Sequence, residues 1–157
     1  MSTSNLLDAI RVVRENERIA SEGYADAAKK VSHPMGKKLF EMLSEFEKFH
    51  YAQLTTLEKS VEERPDFLNS EGKEFPLPPI FEIKAAEEPN QNSLMGIISA
   101  AMDLEKQAEK TYADLAALIT NPQGNEMFRR LSEQEHSHYR ILRDAYWALS
   151  QERLDLR

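Results

Sequence analysis

Residues 43–51 read LSEFEKFHY, and residues 131–139 read LSEQEHSHY. The two stretches share Leu, Ser, two Glu, His and Tyr at the same spacing, 88 residues apart (131 − 43). A second match lies upstream at the same offset, where residues 17–24 read ERIASEGY and residues 105–112 read EKQAEKTY. Matches at one offset without a gap indicate two copies of one structural unit.

The repeated unit is a pair of helices. Segments without internal proline and with good helix formers predict helices at about residues 4–32, 35–63, 92–120 and 122–150. Pro34 and Pro122 stand near the first position of the second helix in each copy, so each copy is an antiparallel hairpin with a short turn. Two such hairpins predict an all-α four-helix bundle that occupies residues 1–157 as one domain.

The segment between the hairpins, about residues 64–91, has a different composition. It contains five of the seven prolines: Pro65, Pro76, Pro78, Pro79 and Pro89. A long segment without helical periodicity is unusual in a compact domain and needs a structural reason. We predict a crossover along the bundle, which would make the second and third helices parallel.

Composition narrows the range of functions. The chain of 157 residues has a net charge of −7 and no cysteine, which excludes disulfides, thiolate nucleophiles, iron–sulfur clusters and cysteine-bound zinc within it. No block of Lys or Arg is present, so nucleic acid and anionic membranes are not expected as partners. Neither a signal-peptide pattern nor an apolar stretch of membrane-spanning length is found, and the expected location is the cytoplasm.

Each predicted helix has an apolar seam with the 3-4 spacing of a core-facing stripe. Six ionisable residues interrupt these seams, and none of them is Lys or Arg. They are Glu17, Glu47, His50, Glu105, Glu135 and His138. Counted from the turn at residue 33, Glu17 lies 16 residues before it and His50 lies 17 after it. The repeat gives the same heights in the second copy, so the six side chains are predicted to converge near the middle of the bundle.

This convergence points to bound metal. Four core carboxylates without a cation would each cost several kcal/mol, whereas two divalent ions would balance their charge. Carboxylate and imidazole ligands together suit iron or manganese. One Glu from each of two helices, with Glu-x-x-His from each of the other two, is the ligand set of ferritin-like di-iron and di-manganese proteins. We therefore predict two iron ions, or two manganese ions, held by all six residues. A polar layer that sets helix register, or a decayed site, is the alternative.

Two of these residues, and two tyrosines near them, have more specific predicted roles. Glu17 and Glu105 are candidates for bridging the two metals or for handling protons. Tyr24 and Tyr112 follow them by seven residues on the same helical face. We expect both tyrosines to fill the core and to donate a hydrogen bond to a ligand carboxylate; a radical role is the alternative.

The paired motifs, from Glu17-x-x-Ala20-x-x-x-Tyr24 to Glu135-x-x-His138, resemble the rubrerythrin family of the ferritin-like superfamily. The resemblance covers all four helices and implies a non-haem di-iron site, reduction of hydrogen peroxide and a homodimer. Two features differ from that family. The chain has no cysteine for a rubredoxin iron, so electrons are expected from an external electron-transfer protein such as a rubredoxin. Ala108 stands where rubrerythrins place an extra glutamate.

Three functions follow from this interpretation. The first is a di-iron peroxidase, with peroxide or dioxygen as its small substrate. The second is a ferroxidase or iron-handling protein without reductive turnover. The third is a non-enzymatic helical bundle with a vestigial metal site.

Overall fold

The computed structural model describes residues 3–64, 75–78 and 93–155 and confirms the all-α four-helix bundle. The helices are α1 (Leu6–Lys30), α2 (Pro34–Glu63), α3 (Leu94–Leu118) and α4 (Pro122–Asp155). Helix α4 therefore continues five residues beyond the predicted end. Two strands of two residues each, β1 (Thr3–Ser4) and β2 (Phe75–Pro76), pair antiparallel beside the start of α1. The sequence did not predict this pairing.

Short polar side chains begin three of the helices. The side-chain oxygen of Asn5 accepts a hydrogen bond from a first-turn N–H of α1, and Ser93 does the same for α3. The amide oxygen of Asn121 accepts from two first-turn N–H groups of α4, at 2.9 and 3.1 Å. Such bonds satisfy backbone donors that have no partner within the helix. Helices α2 and α4 both begin at a proline, as predicted.

Contacts between the hairpins give the helix directions. Tyr24, late in α1, contacts Glu105, early in α3. Glu17, earlier in α1, contacts Tyr112, later in α3. Helices α1 and α3 are therefore antiparallel, and because α1 is also antiparallel to α2, helices α2 and α3 are parallel. The predicted crossover topology is thus present, although most of the segment, residues 65–74 and 79–92, lies outside the described residues.

The bundle core has two apolar clusters with a polar layer between them. One cluster lies where α1 begins, and it includes Ile10, Leu54 and the completely buried Phe75 from β2. The other lies where α1 ends, around Phe40 and Leu142. The polar layer between these clusters is the candidate site. Across the described parts of the chain, no helix is long and apolar enough to cross a membrane.

Candidate metal centre

The structure brings the six predicted ligands together in the middle of the bundle. Each helix contributes its seam residues to this layer, and each of the six is at most 5% exposed. The least exposed is Glu135, at 1%, and the most exposed is His138. Lys and Arg are absent from the buried residues that the structure describes. The layer therefore concentrates four carboxylates in the core without a Lys or Arg to balance them.

The ligand atoms form two groups. In each group, one atom from every residue lies within 4.8 Å of the others. The groups are Glu17, Glu47, His50 and Glu135, and Glu47, Glu105, Glu135 and His138. The 88-residue repeat converts one group into the other, so the bundle contains two related groups, side by side, that could each hold a metal ion.

Only two of the four carboxylates belong to both groups. Glu47 and Glu135 are shared, whereas Glu17 and Glu105 each belong to one group. The geometry therefore places Glu47 and Glu135 where a carboxylate could bridge two metals, and bridging by Glu17 or Glu105 stays a prediction. Proton handling by Glu17 and Glu105 also stays a prediction.

Unpaired buried atoms test whether these residues fit metal ions. Six atoms of the layer lack a hydrogen bond of good geometry within the described structure: Glu17 Oε2, Glu47 Oε1, His50 Nδ1, Glu105 Oε2, Glu135 Oε1 and His138 Nδ1. His50 Nδ1 approaches Glu135 Oε1 to 2.7 Å, and His138 Nδ1 approaches Glu47 Oε1 to 2.9 Å. Unsatisfied buried polar atoms are costly, and native proteins pair nearly all of them. Oxygen and imidazole nitrogen atoms that converge in this way fit two iron or manganese ions.

Proton affinities in the layer reflect the crowding of carboxylates. Burial, and then the neighbouring Glu47 carboxylate, raises the pKa of Glu17 well above its usual range. Burial and the charge of Glu105 raise the pKa of Glu135 in the same way. Protons, like metal ions, therefore relieve the repulsion in this layer.

The two histidines respond to the same carboxylates. Burial alone would lower the pKa of His50, but Glu17 and Glu47 outweigh it and raise the pKa to about 10. Burial is likewise outweighed at His138, where Glu105 and Glu47 raise the pKa to about 9. The carboxylates therefore favour the protonated form of both imidazoles, and a metal ion at either ring would compete with that proton.

The tyrosines link the two copies of the repeat. The Tyr24 hydroxyl donates to Glu105 at 2.6 Å, and the Tyr112 hydroxyl donates to Glu17 at 2.5 Å. Each tyrosine thus binds the glutamate of the opposite hairpin. Burial first, and then the nearby carboxylates, raises the pKa of both hydroxyls, which keeps them protonated as donors.

Two further residues touch the ligands, and the sequence analysis did not identify them. His50 Nε2 lies 2.6 Å from Gln134 Oε1. The Phe46 ring stacks on the His138 ring, with 5.2 Å between the ring centroids and 8° between the ring planes. Gln134 and Phe46 occupy the same position of the repeat. The sequence therefore contained a sign of these two residues, because LSEFE and LSEQE differ only at this position.

The position at which rubrerythrins have an extra glutamate is occupied by a buried alanine in this chain. Ala108 is 5% exposed and packs in the core near the site. The adjacent Glu109 points elsewhere, since its carboxylate contacts Lys106 and His136, each at 3.0 Å. The described residues therefore offer no seventh protein ligand at this place.

A groove of about 590 Å³ approaches the site between α2 and α4. Its lining combines polar side chains, including Gln53, Thr56, Arg130 and Gln134, with apolar ones such as Leu57. Because Gln134 also contacts His50, the groove ends beside one of the candidate ligands.

Comparison with known proteins agrees with this site. The Rubrerythrin family model matches residues 60–155, which include α3, α4 and the Glu135-x-x-His138 motif. The structure resembles that of a hypothetical protein from Pyrococcus furiosus, with a TM-score of 0.73 and 26% sequence identity. The match covers 93% of this chain and 90% of the other. No curated protein shows significant sequence similarity. The family match extends over more than half of the chain, and the protein belongs to the rubrerythrin family.

Proposed function

We propose that the protein is a di-iron oxidoreductase that reduces hydrogen peroxide with electrons from a separate donor protein. The observation that supports this most strongly is the pair of four-residue groups that share Glu47 and Glu135. Two metals held by common carboxylates lie close enough to act on one small substrate. Membership of the rubrerythrin family supports iron as the metal.

The reaction consumes one peroxide, two electrons and two protons and yields two waters. Bound iron would supply the two electrons at the site. The chain itself would supply the surroundings for O–O cleavage, because the apolar clusters above and below the polar layer keep bulk water out. The Tyr112 and Tyr24 hydroxyls hold protons at the carboxylates of Glu17 and Glu105, and these pairs are the proposed proton carriers.

The groove between α2 and α4 is the proposed entry for peroxide. Its Gln53, Thr56 and Arg130 side chains offer hydrogen bonds to a small polar molecule. The groove reaches Gln134, which contacts His50, so a molecule that follows it arrives at the edge of the first group.

Stopped-flow mixing tests the proposed reaction. Iron-loaded, reduced protein is mixed with peroxide or with air-saturated buffer, and iron oxidation is followed optically. We expect oxidation by peroxide to be at least about tenfold faster, and repeated turnover when a reduced rubredoxin is added. Zinc-loaded protein is the control, because zinc has no redox chemistry. Equal rates with peroxide and dioxygen would show that peroxide reduction is the wrong assignment.

The same preparation separates the competing functions. A ferroxidase would release oxidised iron into a mineral, and an iron-storage protein would elute as a large cage. Protein purified without added metal that contains neither iron nor manganese would favour a vestigial site. We also propose a homodimer, which light scattering would detect as twice the chain mass of 18.1 kDa.

A further inference from the structure

The two metal groups match in every ligand but differ in what contacts their histidines. The repeat pairs Glu17 with Glu105, Glu47 with Glu135, and His50 with His138. Even the tyrosine hydrogen bonds match, at 2.5 and 2.6 Å. The symmetry fails directly beside the histidines, where one copy has Gln134 and the other has Phe46.

Gln134 offers an acceptor oxygen to the nitrogen of His50 that points away from the carboxylates. An amide oxygen only accepts, so His50 Nε2–H donates to Gln134 Oε1 across the 2.6 Å contact. In the neutral ring, Nδ1 is then the unprotonated nitrogen. This is the atom that faces the carboxylates, at 2.7 Å from Glu135 and 3.6 Å from Glu17. Gln134 thus presents His50 in the form that binds a metal.

Phe46 gives His138 a different neighbour. Its ring packs flat against the imidazole and offers no oxygen to accept an N–H. Stacking restricts the ring plane, but Phe46 gives His138 no fixed side-chain acceptor of the kind that Gln134 gives His50. Metal-binding histidines usually obtain a fixed tautomer and greater basicity from a hydrogen-bond acceptor on the second nitrogen.

We propose that Gln134 is a positioning residue that makes the His50 group bind its metal more tightly than the His138 group. The two positions then fill in order, with the first ion beside His50. Loss of such an acceptor typically lowers metal affinity about 10- to 100-fold, and this sets the expected difference between the groups. The inference depends on the metal centre and not on the peroxide reaction.

Limiting metal tests the order of filling. Metal-free protein is crystallised with one equivalent of Co²⁺, and anomalous scattering measures occupancy in each group. We expect the stronger peak beside His50 in the natural protein. Gln134→Met, which keeps the length but removes the acceptor, should abolish this preference. Gln134→Glu, which keeps an oxygen acceptor, should retain it. Gln134 lies on the exposed helix surface, so these variants should fold.

Calorimetric titration with Co²⁺ provides a second readout in solution. Gln134→Met should weaken the tighter step at least about tenfold and leave the weaker step unchanged. Phe46→Leu is the matched control at the equivalent position of the repeat, and it should leave the tighter step unchanged. Equal occupancy in the natural protein, a stronger peak beside His138, or a preference that survives Gln134→Met would each overturn the proposal. None of these outcomes bears on whether peroxide is the substrate.

Discussion

Replacement of one buried glutamate should have opposite effects on the metal-free and the metal-loaded protein. Burial and the neighbouring Glu47 carboxylate raise the pKa of Glu17, so its charged form destabilises the metal-free fold. This penalty is absent below the ordinary pKa of a glutamate and develops as the pH rises toward the raised value. Glu17→Gln removes the ionisable group but keeps an oxygen that accepts from Tyr112. The metal-free variant should therefore equal or exceed the natural protein in stability, with a difference that grows with pH.

In the metal-loaded protein, Glu17→Gln should lower stability instead of raising it. Free metal at 100 times its dissociation constant stabilises a fold by about 2.7 kcal/mol per ion, or about 5.4 kcal/mol for two ions. For a chain of 157 residues, each kcal/mol shifts Tm by about 2–4 °C, so metal should raise Tm by about 11–22 °C. Glu17 belongs only to the His50 group, which we propose to be the tighter one, so Glu17→Gln should keep at most about half of this shift. Glu135 belongs to both groups, and Glu135→Gln should lose most of it.

Thermal unfolding followed by circular dichroism, with and without Mn²⁺, measures these shifts, and metal analysis counts the bound ions. Glu45→Gln is the control, since this glutamate is exposed on α2 only two residues from Glu47 and pairs with Lys48. It should keep the full shift and two ions. If Glu17→Gln also keeps two ions and the full shift, the reasoning about the first group is wrong.

Two more predictions concern protons and hydrogen bonds. Metal binding near neutral pH should release two or more protons, because the pKa values of His50 and His138 are about 10 and 9 without metal and both rings must lose a proton to coordinate. The affinity for metal should then increase with pH. Calorimetry in buffers of different ionisation enthalpy counts the released protons, and release of none would show that this prediction is wrong. Tyr112→Phe should lower the free energy of unfolding by about 1–3 kcal/mol, because a buried carboxylate oxygen loses its donor. Tyr24→Phe should lower the free energy of unfolding by a similar amount, as measured by urea titration. Tyr51→Phe, at a half-buried position, is the control. If Tyr112→Phe and Tyr24→Phe lower the free energy no more than this control, the two hydrogen bonds do not stabilise the fold as proposed.

The sequence predicted the bundle and the convergence of the six residues because both depend on local rules. Helical periodicity decides which side chains face the core, and distance from the turn decides their height in an antiparallel pair. Glu17, Glu47 and His50 obey both rules, and the repeat applies the same rules to the second hairpin. These positions needed no information about contacts between hairpins.

Contacts between hairpins account for what the sequence analysis missed. Which carboxylates are shared depends on the packing of α2 against α4, and this packing selects Glu47 and Glu135. The same packing places Gln134 of α4 next to His50 of α2. Helical periodicity alone assigns Gln134 to the solvent-facing side of α4, so it does not predict this contact. The pairing of Thr3–Ser4 with Phe75–Pro76 joins distant segments of only two residues each, too short to show strand alternation.

Anomalous diffraction from iron-loaded crystals is the most direct test of the central claim, that the buried polar layer is a two-metal site. The account predicts two iron peaks about 3.5–4 Å apart. One should lie within the Glu17, Glu47, His50 and Glu135 group, and the other within the Glu47, Glu105, Glu135 and His138 group. A layer without metal peaks, in crystals that bind iron only at the protein surface, would contradict it.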